Sequence, residues 1–291
     1  MQVTSWSKEQ REMFSAALRS GEPVELVLSE IGERGLRAQR NLRVDEVAPL
    51  ADVIRIVDPA LQAAADGYRA PDGVEGRTET VTAVIPCNRS ALLGVEALRN
   101  QDVKVDVLVL SNGDGPTFVP GAKVVQLPWE GHGSTRARAF EYIDTEYVFF
   151  TVDDAIPMGR GCIRTLIDAL EEGGWDAVMA RQIPWPHADA VTSSRLRRWT
   201  PPGQIVVPTL QTDHVGTLMR TDTLRQYPIP DVPIAEDAWW SLHRRVAYVP
   251  MAPVLHSHAR DPRVLFERNR AIHAQLVAMG RAARVPSIGA L

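Results

Sequence analysis

Two neighbouring carboxylates, Asp153 and Asp154, end the apolar run Tyr147-Val148-Phe149-Phe150-Thr151-Val152 and are soon followed by Pro157. Side by side at a chain turn they repel each other unless a cation or a set of hydrogen-bond donors compensates them, so the pair suggests a bound divalent metal. The same pair would also serve as a helix cap or sit solvated in a loop. A second acidic pair, Glu236-Asp237, opens a helical pattern continuing through Ala238-Trp239-Trp240, where negative charge suits the positive end of the helix dipole. His256 and His258 stand one residue apart at the end of an apolar stretch. Residues spaced by two on a strand point to one face, so both imidazoles could reach one metal, with turn hydrogen bonding as the alternative. Gly133-Ser134-Thr135-Arg136-Ala137-Arg138 leads a glycine into a basic helix, a pattern suited to anions.

These groups need a scaffold that brings them to one place. The run ending at Asp153 is short, aromatic and β-branched, which marks a strand buried on both faces and puts the two acids at its C-terminal tip. From Thr80 onward, strands alternate with helical segments, the pattern of a largely parallel sheet with crossovers. The periodicity predicts strands over 81–85, 105–110, 123–127, 147–152 and 177–180, and helices over 90–100, 135–143 and 160–172. The loops at Pro86-Cys87-Asn88 and Ser111-Asn112-Gly113-Asp114 then fall at the same sheet edge as Asp153 and Asp154, where open α/β sheets bind ligands. After about residue 183, prolines at 184, 186, 201, 202 and 208 predict irregular loops. A strand beginning at His214, short strands over 246–249 and 253–255, and a terminal helix over 262–283 follow.

Amphipathic patterns over the first 70 or so residues predict a helical appendage, and the polar stretch at 69–77 has the composition of a linker. The expected organisation is a helical region over 1–76, one half over 77–182 and a second half over 183–291. The 291 residues are 45% hydrophobic and 23% charged, with a net charge of −4. That is an ordinary globular composition without the basic footprint of a nucleic-acid binder. Cys87 and Cys162, the only cysteines, allow one disulfide and no zinc ribbon. No basic and apolar leader opens the sequence, and no window approaches the ~20 apolar residues of a membrane span, so a cytoplasmic location without a span is expected.

The order of these motifs along residues 81–260 resembles the family 2 glycosyltransferases of the GT-A fold. The resemblance implies an α/β architecture: a Rossmann-like, mostly parallel central sheet flanked by helices, here with the N-terminal helical appendage. It implies that Pro86 and Asn88, after the first strand, hold a nucleotide together with the acidic turn after the second. In this chain that turn offers Asn112 and Asp114, with Ser and Asn where Asp is usual. The family's Gly-x-x-x-Ala-Arg-Asn segment falls on Gly133 to Ala139 without the final Asn, and puts Arg136 and Arg138 beside a diphosphate.

The family's Asp-x-Asp motif falls, one acid short, on Val152-Asp153-Asp154. Asp154 would then hold Mg²⁺ or Mn²⁺, Asp153 would contact ribose or metal, and His256 or His258 would complete the metal or phosphate shell. Glu236-Asp237 matches the family's Glu-Asp pair, making Asp237 the general base of an inverting transfer. The His-Ser-His wording also resembles the rhamnosyltransferase branch. The implied partners are a nucleotide-diphosphate sugar carrying UDP, dTDP or GDP, and a saccharide or other hydroxyl acceptor. Trp185, Trp199, Trp239 and Trp240 offer faces for that acceptor. A homo-oligomer would form through the N-terminal helices. The rival readings are a metal-dependent hydrolase built on the same His and Asp residues and a non-catalytic nucleotide-sugar-binding protein.

Overall fold

The computed structural model describes residues 79–88, 91–128, 131–184, 190–256 and 262–280. The predicted helical region over 1–76, His258, Trp185 and the end of the last helix lie outside the described residues. The hydrophobic run Thr80–Cys87 forms β1, which is followed by α1 (Leu92–Arg99), β2 (Lys104–Asn112) and β3 (Lys123–Leu127). Next come α2 (His132–Arg138), a 3₁₀ turn (Ala139–Tyr142), β4 (Tyr147–Thr151), β5 (Ile156–Pro157) and α3 (Cys162–Gly173). Then follow β6 (Ala177–Ile183), α4 (Ala190–Trp199), β7 (Val207–Thr209), β8 (Gly216–Arg220) and α5 (Thr221–Gln226). The described chain closes with α6 (Glu236–Trp240), β9 (Val246–Leu255) and α7 (Pro262–Ala278).

All nine strands join one mixed sheet in the order β3-β2-β1-β4-β8-β6-β9-β5, with β7 also on β9. β1 to β4 are mutually parallel, β8 runs against β4 and β6, and β6 and β9 are parallel again. The sheet is covered on both faces, and the period of two along β4 shows how. Tyr147 and Phe149 pack with Val95 and Leu98 of α1 and with Ile163, Leu166, Ile167 and Leu170 of α3. Val148 and Phe150 pack on the opposite face with Ile143, Leu224, Ile229 and Trp240. Burying each phenylalanine contributes roughly 1.5–3 kcal/mol, so β4 is a central pillar of both layers. In α3 the apolar residues recur at helical spacing, and Gly174 in the left-handed conformation (φ 56°) ends the helix.

Several details depart from the sequence reading. Pro86 lies inside β1 rather than beyond it, because β4 pairs β1 only as far as Val84 and the missing N–H falls where β1 has lost that neighbour. The stretch after 183 is not loops alone, since it holds α4 and β7. β8 begins at Gly216 and leaves His214 in the turn before it. β9 is one strand instead of two, with a bulge at Pro250 to Ala252 opposite the Ala180/Arg181 step. Cys87 and Cys162 are both buried, and neither is in a disulfide. The Cys162 thiol donates to the Pro253 carbonyl at 3.3 Å, and burial pushes its pKa up to about 12, so it is an unreactive core group. No helix among the described residues is long and apolar enough to cross a membrane.

Candidate functional site

In the order β3-β2-β1-β4 the chain reverses direction across the sheet between β1 and β4, so the loops after β1, β2 and β4 open a crevice at the carboxyl edge. The turn after β2 folds back onto β1. A side chain at Gly115 would meet the Ser111 hydroxyl at 2.4 Å and the Cys87 carbonyl at 2.8 Å, so only glycine permits this approach. The approach brings Asn88 and Asp114, both exposed, to the same edge. Asn112 is 6% exposed and accepts from the Thr135 hydroxyl at 3.2 Å, which ties β2 to α2.

On the far side of β1, Asp153 and Asp154 occupy the turn closed by the Ala155 amide on the Val152 carbonyl at 3.2 Å. Asp154 Oδ1 stands 3.5 Å from His256 Nε2. The His256 backbone continues the β6–β9 ladder through the Ile183 carbonyl at 2.8 Å, and its Nδ1 lies 3.0 Å from Gln182 Oε1. Gln182 Nε2 in turn donates to Asp213 Oδ2 at 2.7 Å. The Val215 amide donates to Asp213 Oδ1 at 3.2 Å, and Thr151 at the tip of β4 donates to the Val215 carbonyl at 2.8 Å. The turns that carry Asp154 and Asp213 are thus bound to one another at Val215, just before β8.

A second cluster joins α2 to α6. Arg136, 4% exposed, forms a buried ion pair with Glu236 and also donates to the His214 carbonyl at 3.5 Å. His214 Nδ1 is 3.6 Å from Glu236, and its ring lies 4.9 Å from that of Phe150. Burial alone would raise the Glu236 carboxyl, but Arg136 and His214 outweigh it and hold the group well below the usual carboxylate range. Arg136 and Glu236, each expected at the site from the sequence, are thus paired with one another in the folded chain. Arg138 is exposed.

Asp237 behaves in the opposite way. Burial, then the charges of Asp213 and Glu236, push its pKa up to about 7, although the Ala238 amide donates to it at 2.7 Å. Ala235, in the left-handed region at φ 63°, turns the chain into this acidic pair. That conformation is uncommon for a residue with a side chain and clusters at functional sites.

Gln182, Asp213 and His214 escaped the sequence reading. Their signal was a glutamine inside the apolar strand Ala177–Ile183 and an Asp-His pair before a strand. A buried polar side chain requires a partner, but the sequence does not say which.

Among the described residues no group of three or more His, Cys, Asp or Glu could by itself hold a metal ion. The residues present still fit a cation whose shell a diphosphate completes. A carboxylate oxygen and an imidazole nitrogen face each other at 3.5 Å, and Mg²⁺ in phosphate-transfer sites characteristically takes only one or two protein carboxylates plus substrate phosphates. Asp153 is on the same turn, and His258 lies outside the described residues.

Comparison with solved structures settles the architecture. The chain superimposes on mannosyltransferase PcManGT from Pyrobaculum calidifontis, in complex with GDP-Man and Mn²⁺, with a TM-score of 0.54 at 14% identity, covering 81% of this chain and 77% of that one. The fold is GT-A. A second GT-A glycosyltransferase, GalNAc-T7 with UDP, GalNAc and Mn²⁺, matches with a TM-score of 0.51 at 8% identity over 63% of this chain and 44% of that one. TarS 1–349 from S. aureus gives 0.47 at 18% identity over 68% of this chain. The chain spans less than two thirds of TarS 1–349, 65%, and less than half of GalNAc-T7. No protein-family profile and no curated protein matches at the level of sequence.

Proposed function

We propose that this GT-A protein is a hexosyltransferase that moves a sugar from a nucleotide-diphosphate donor to a hydroxyl acceptor with inversion, assisted by Mg²⁺ or Mn²⁺. The observation that carries the reading is the meeting, at one sheet edge, of the Asp154–His256 pair and the loops at Asn88 and Asp114, with the near-neutral Asp237 in the Asp213–Glu236 acid cluster next to them. The nucleotide-bearing GT-A neighbours, with GDP-Man in one and UDP in the other, support the donor class.

In this reading Asn88 and Asp114 face the nucleotide, and Asp154, Asp153 and His256 would hold a cation. Bound there it would supply countercharge to the leaving diphosphate, an effect typically worth several kcal/mol. Asp237 takes the acceptor's proton as the new bond to the anomeric carbon forms and the bond to the diphosphate oxygen breaks. Its pKa of about 7 suits that task, because a base is most effective when its pKa lies near the working pH. Glu236, neutralised by Arg136, fixes the helix that carries the base.

For the acceptor, Trp240 is buried with its indole N–H on the Tyr227 carbonyl, and Trp239 is tied to Gln275. Trp199 is 43% exposed, and the Thr200 hydroxyl next to it donates to the Gln182 carbonyl at 2.9 Å. Of Trp199, Trp239 and Trp240, Trp199 is therefore the one proposed to meet an acceptor sugar. The rhamnosyltransferase branch rests on His256-Ser257-His258, of which only His256 is described, and remains a choice of donor within the same proposal.

A thermal-shift panel of UDP, dTDP and GDP with and without Mn²⁺, repeated on Asp154→Ala, tests the reading. One nucleotide should raise the melting temperature in a Mn²⁺-dependent way, and Asp154→Ala should lose that dependence. A wild type that no nucleotide stabilises would refute it.

A further inference from the structure

The chain of contacts from Asp213 through Gln182 to His256 has a direction that the chemistry of its end groups dictates. An ionised carboxylate can only accept hydrogen bonds, so the Gln182 group facing Asp213 Oδ2 at 2.7 Å must be the amide nitrogen. The Gln182 group facing His256 Nδ1 at 3.0 Å is then the amide oxygen, which also only accepts. His256 must therefore carry its proton on Nδ1, and in the neutral ring the lone pair falls on Nε2, the atom 3.5 Å from Asp154 Oδ1.

This assignment does not depend on how the glutamine amide happens to be oriented, because the opposite orientation would set oxygen against oxygen at Asp213. Gln182 and His256 are each 5% exposed, so water competes little for these bonds. The backbone around the relay is pinned as well. The Thr200 hydroxyl donates to the Gln182 carbonyl at 2.9 Å, while the Asp213 carbonyl accepts from the Thr217 hydroxyl at 2.7 Å.

We propose that Asp213 and Gln182 are positioning residues that fix His256 in the Nδ1–H tautomer and so present Nε2, together with Asp154, to a divalent cation. The inference rests on the functional reading above and deepens it by assigning the groups behind the cation ligands. Residues that orient a ligating histidine from behind characteristically alter metal affinity by about 10–100-fold when removed. The relay also joins the Asp154–His256 pair to the acid cluster around Asp237, since Asp213 is one of the charges acting on that carboxyl.

The test uses the full chain, Mn²⁺ titrated by calorimetry in the presence of the stabilising nucleoside diphosphate, and ¹⁵N chemical shifts of His256 in the metal-free protein. The wild type should show His256 with its proton on Nδ1, and Gln182→Leu should weaken Mn²⁺ binding by about 10–100-fold and lose the tautomer preference. The double variant Gln182→Glu with Asp213→Asn reverses the amide and the carboxylate. It still offers His256 an acceptor backed by a donor, and should restore both the tautomer and Mn²⁺ binding, which a purely steric role for Gln182 would not produce.

A wild-type His256 protonated on Nε2, Gln182→Leu binding Mn²⁺ as tightly as wild type, or a double variant no better than Gln182→Leu would each overturn the relay. Absence of Mn²⁺ binding by the wild type with every nucleotide would sink the functional reading, while the tautomer measurement would still decide the relay.

Discussion

Asp237 and Glu236 are neighbours with opposite fates, and the difference lies in what faces each of them. Glu236 meets Arg136 and His214, whereas Asp237 is half-buried and faces the charges of two further acids. If Asp237 is the base, the transfer rate should rise with pH through about 7, and Asp237→Asn should lower it by about 10²–10⁴ and flatten the profile. The same shift has a stability consequence of definite sign. The folded-state pKa lies above the unfolded value of about 3.9, so between pH 4 and 7 the native state keeps a proton that the unfolded chain releases. Stability contributed by this group is therefore lost as pH rises through that window, and urea melts of Asp237→Asn should show a shallower loss there than wild type. Arg136→Met removes the countercharge of a buried carboxylate and should cost roughly 3–5 kcal/mol in the same melts. The acidic pair was visible in the sequence, but the different surroundings of its two members were not, because Arg136 lies a hundred residues away and nothing local announces the pairing.

Element geometry decides which of these side chains can meet. Across the Ala180/Arg181 step, β6 pairs first with Val249 and then with Pro253, so three residues of β9 bulge out. An odd insertion reverses the face of every residue beyond it, which returns His256 to the face of Gln182; in regular register the two would point apart. The sequence reading saw two short strands here because the prolines at 250 and 253 look like a break. Gly133, in the first turn of α2, heads the segment whose pattern suits an anion, and the structure shows a packing reason for it and for Gly131 before it. A side chain at Gly133 would stand 2.1 Å from the Val232 carbonyl, and one at Gly131, with φ 94°, would meet Pro233 at 3.3 Å. Gly133→Ala should accordingly push residues 230–236 away from α2, strain the Arg136–Glu236 pair and lower the melting temperature by several degrees, with transfer activity falling further than stability. Differential scanning calorimetry alongside a donor-consumption assay would show both. If Gly133→Ala melted and worked like wild type, the close approach of α2 to that loop would be wrong.

For the molecule as a whole, the sheet is continuous from the parallel strands β1 to β4 into β8, β6 and β9. Ligands bridging the two sides should stabilise them together. A nucleoside diphosphate with Mn²⁺ at 100 times its dissociation constant should add about 2.7 kcal/mol to unfolding and shift the sheet's transition as one step. Separate transitions for the two sides would contradict that coupling. The largely parallel α/β arrangement and the placing of the loops after β1, β2 and β4 at one carboxyl edge were legible in the sequence, because buried strands require continuous apolar runs and crossovers require helices between them. The acids at the tip of β4 and at the start of α6 were legible for the same reason, since each interrupts or opens such a pattern. What only the tertiary structure decided was which polar groups meet: Arg136 with Glu236, Gln182 with His256 and Asp213, and His256 with Asp154. Those partners come from strands and helices far apart in sequence, and strand order, the bulge in β9 and the turn at Ala235 fix their approach. None of those three leaves a periodic mark in the chain.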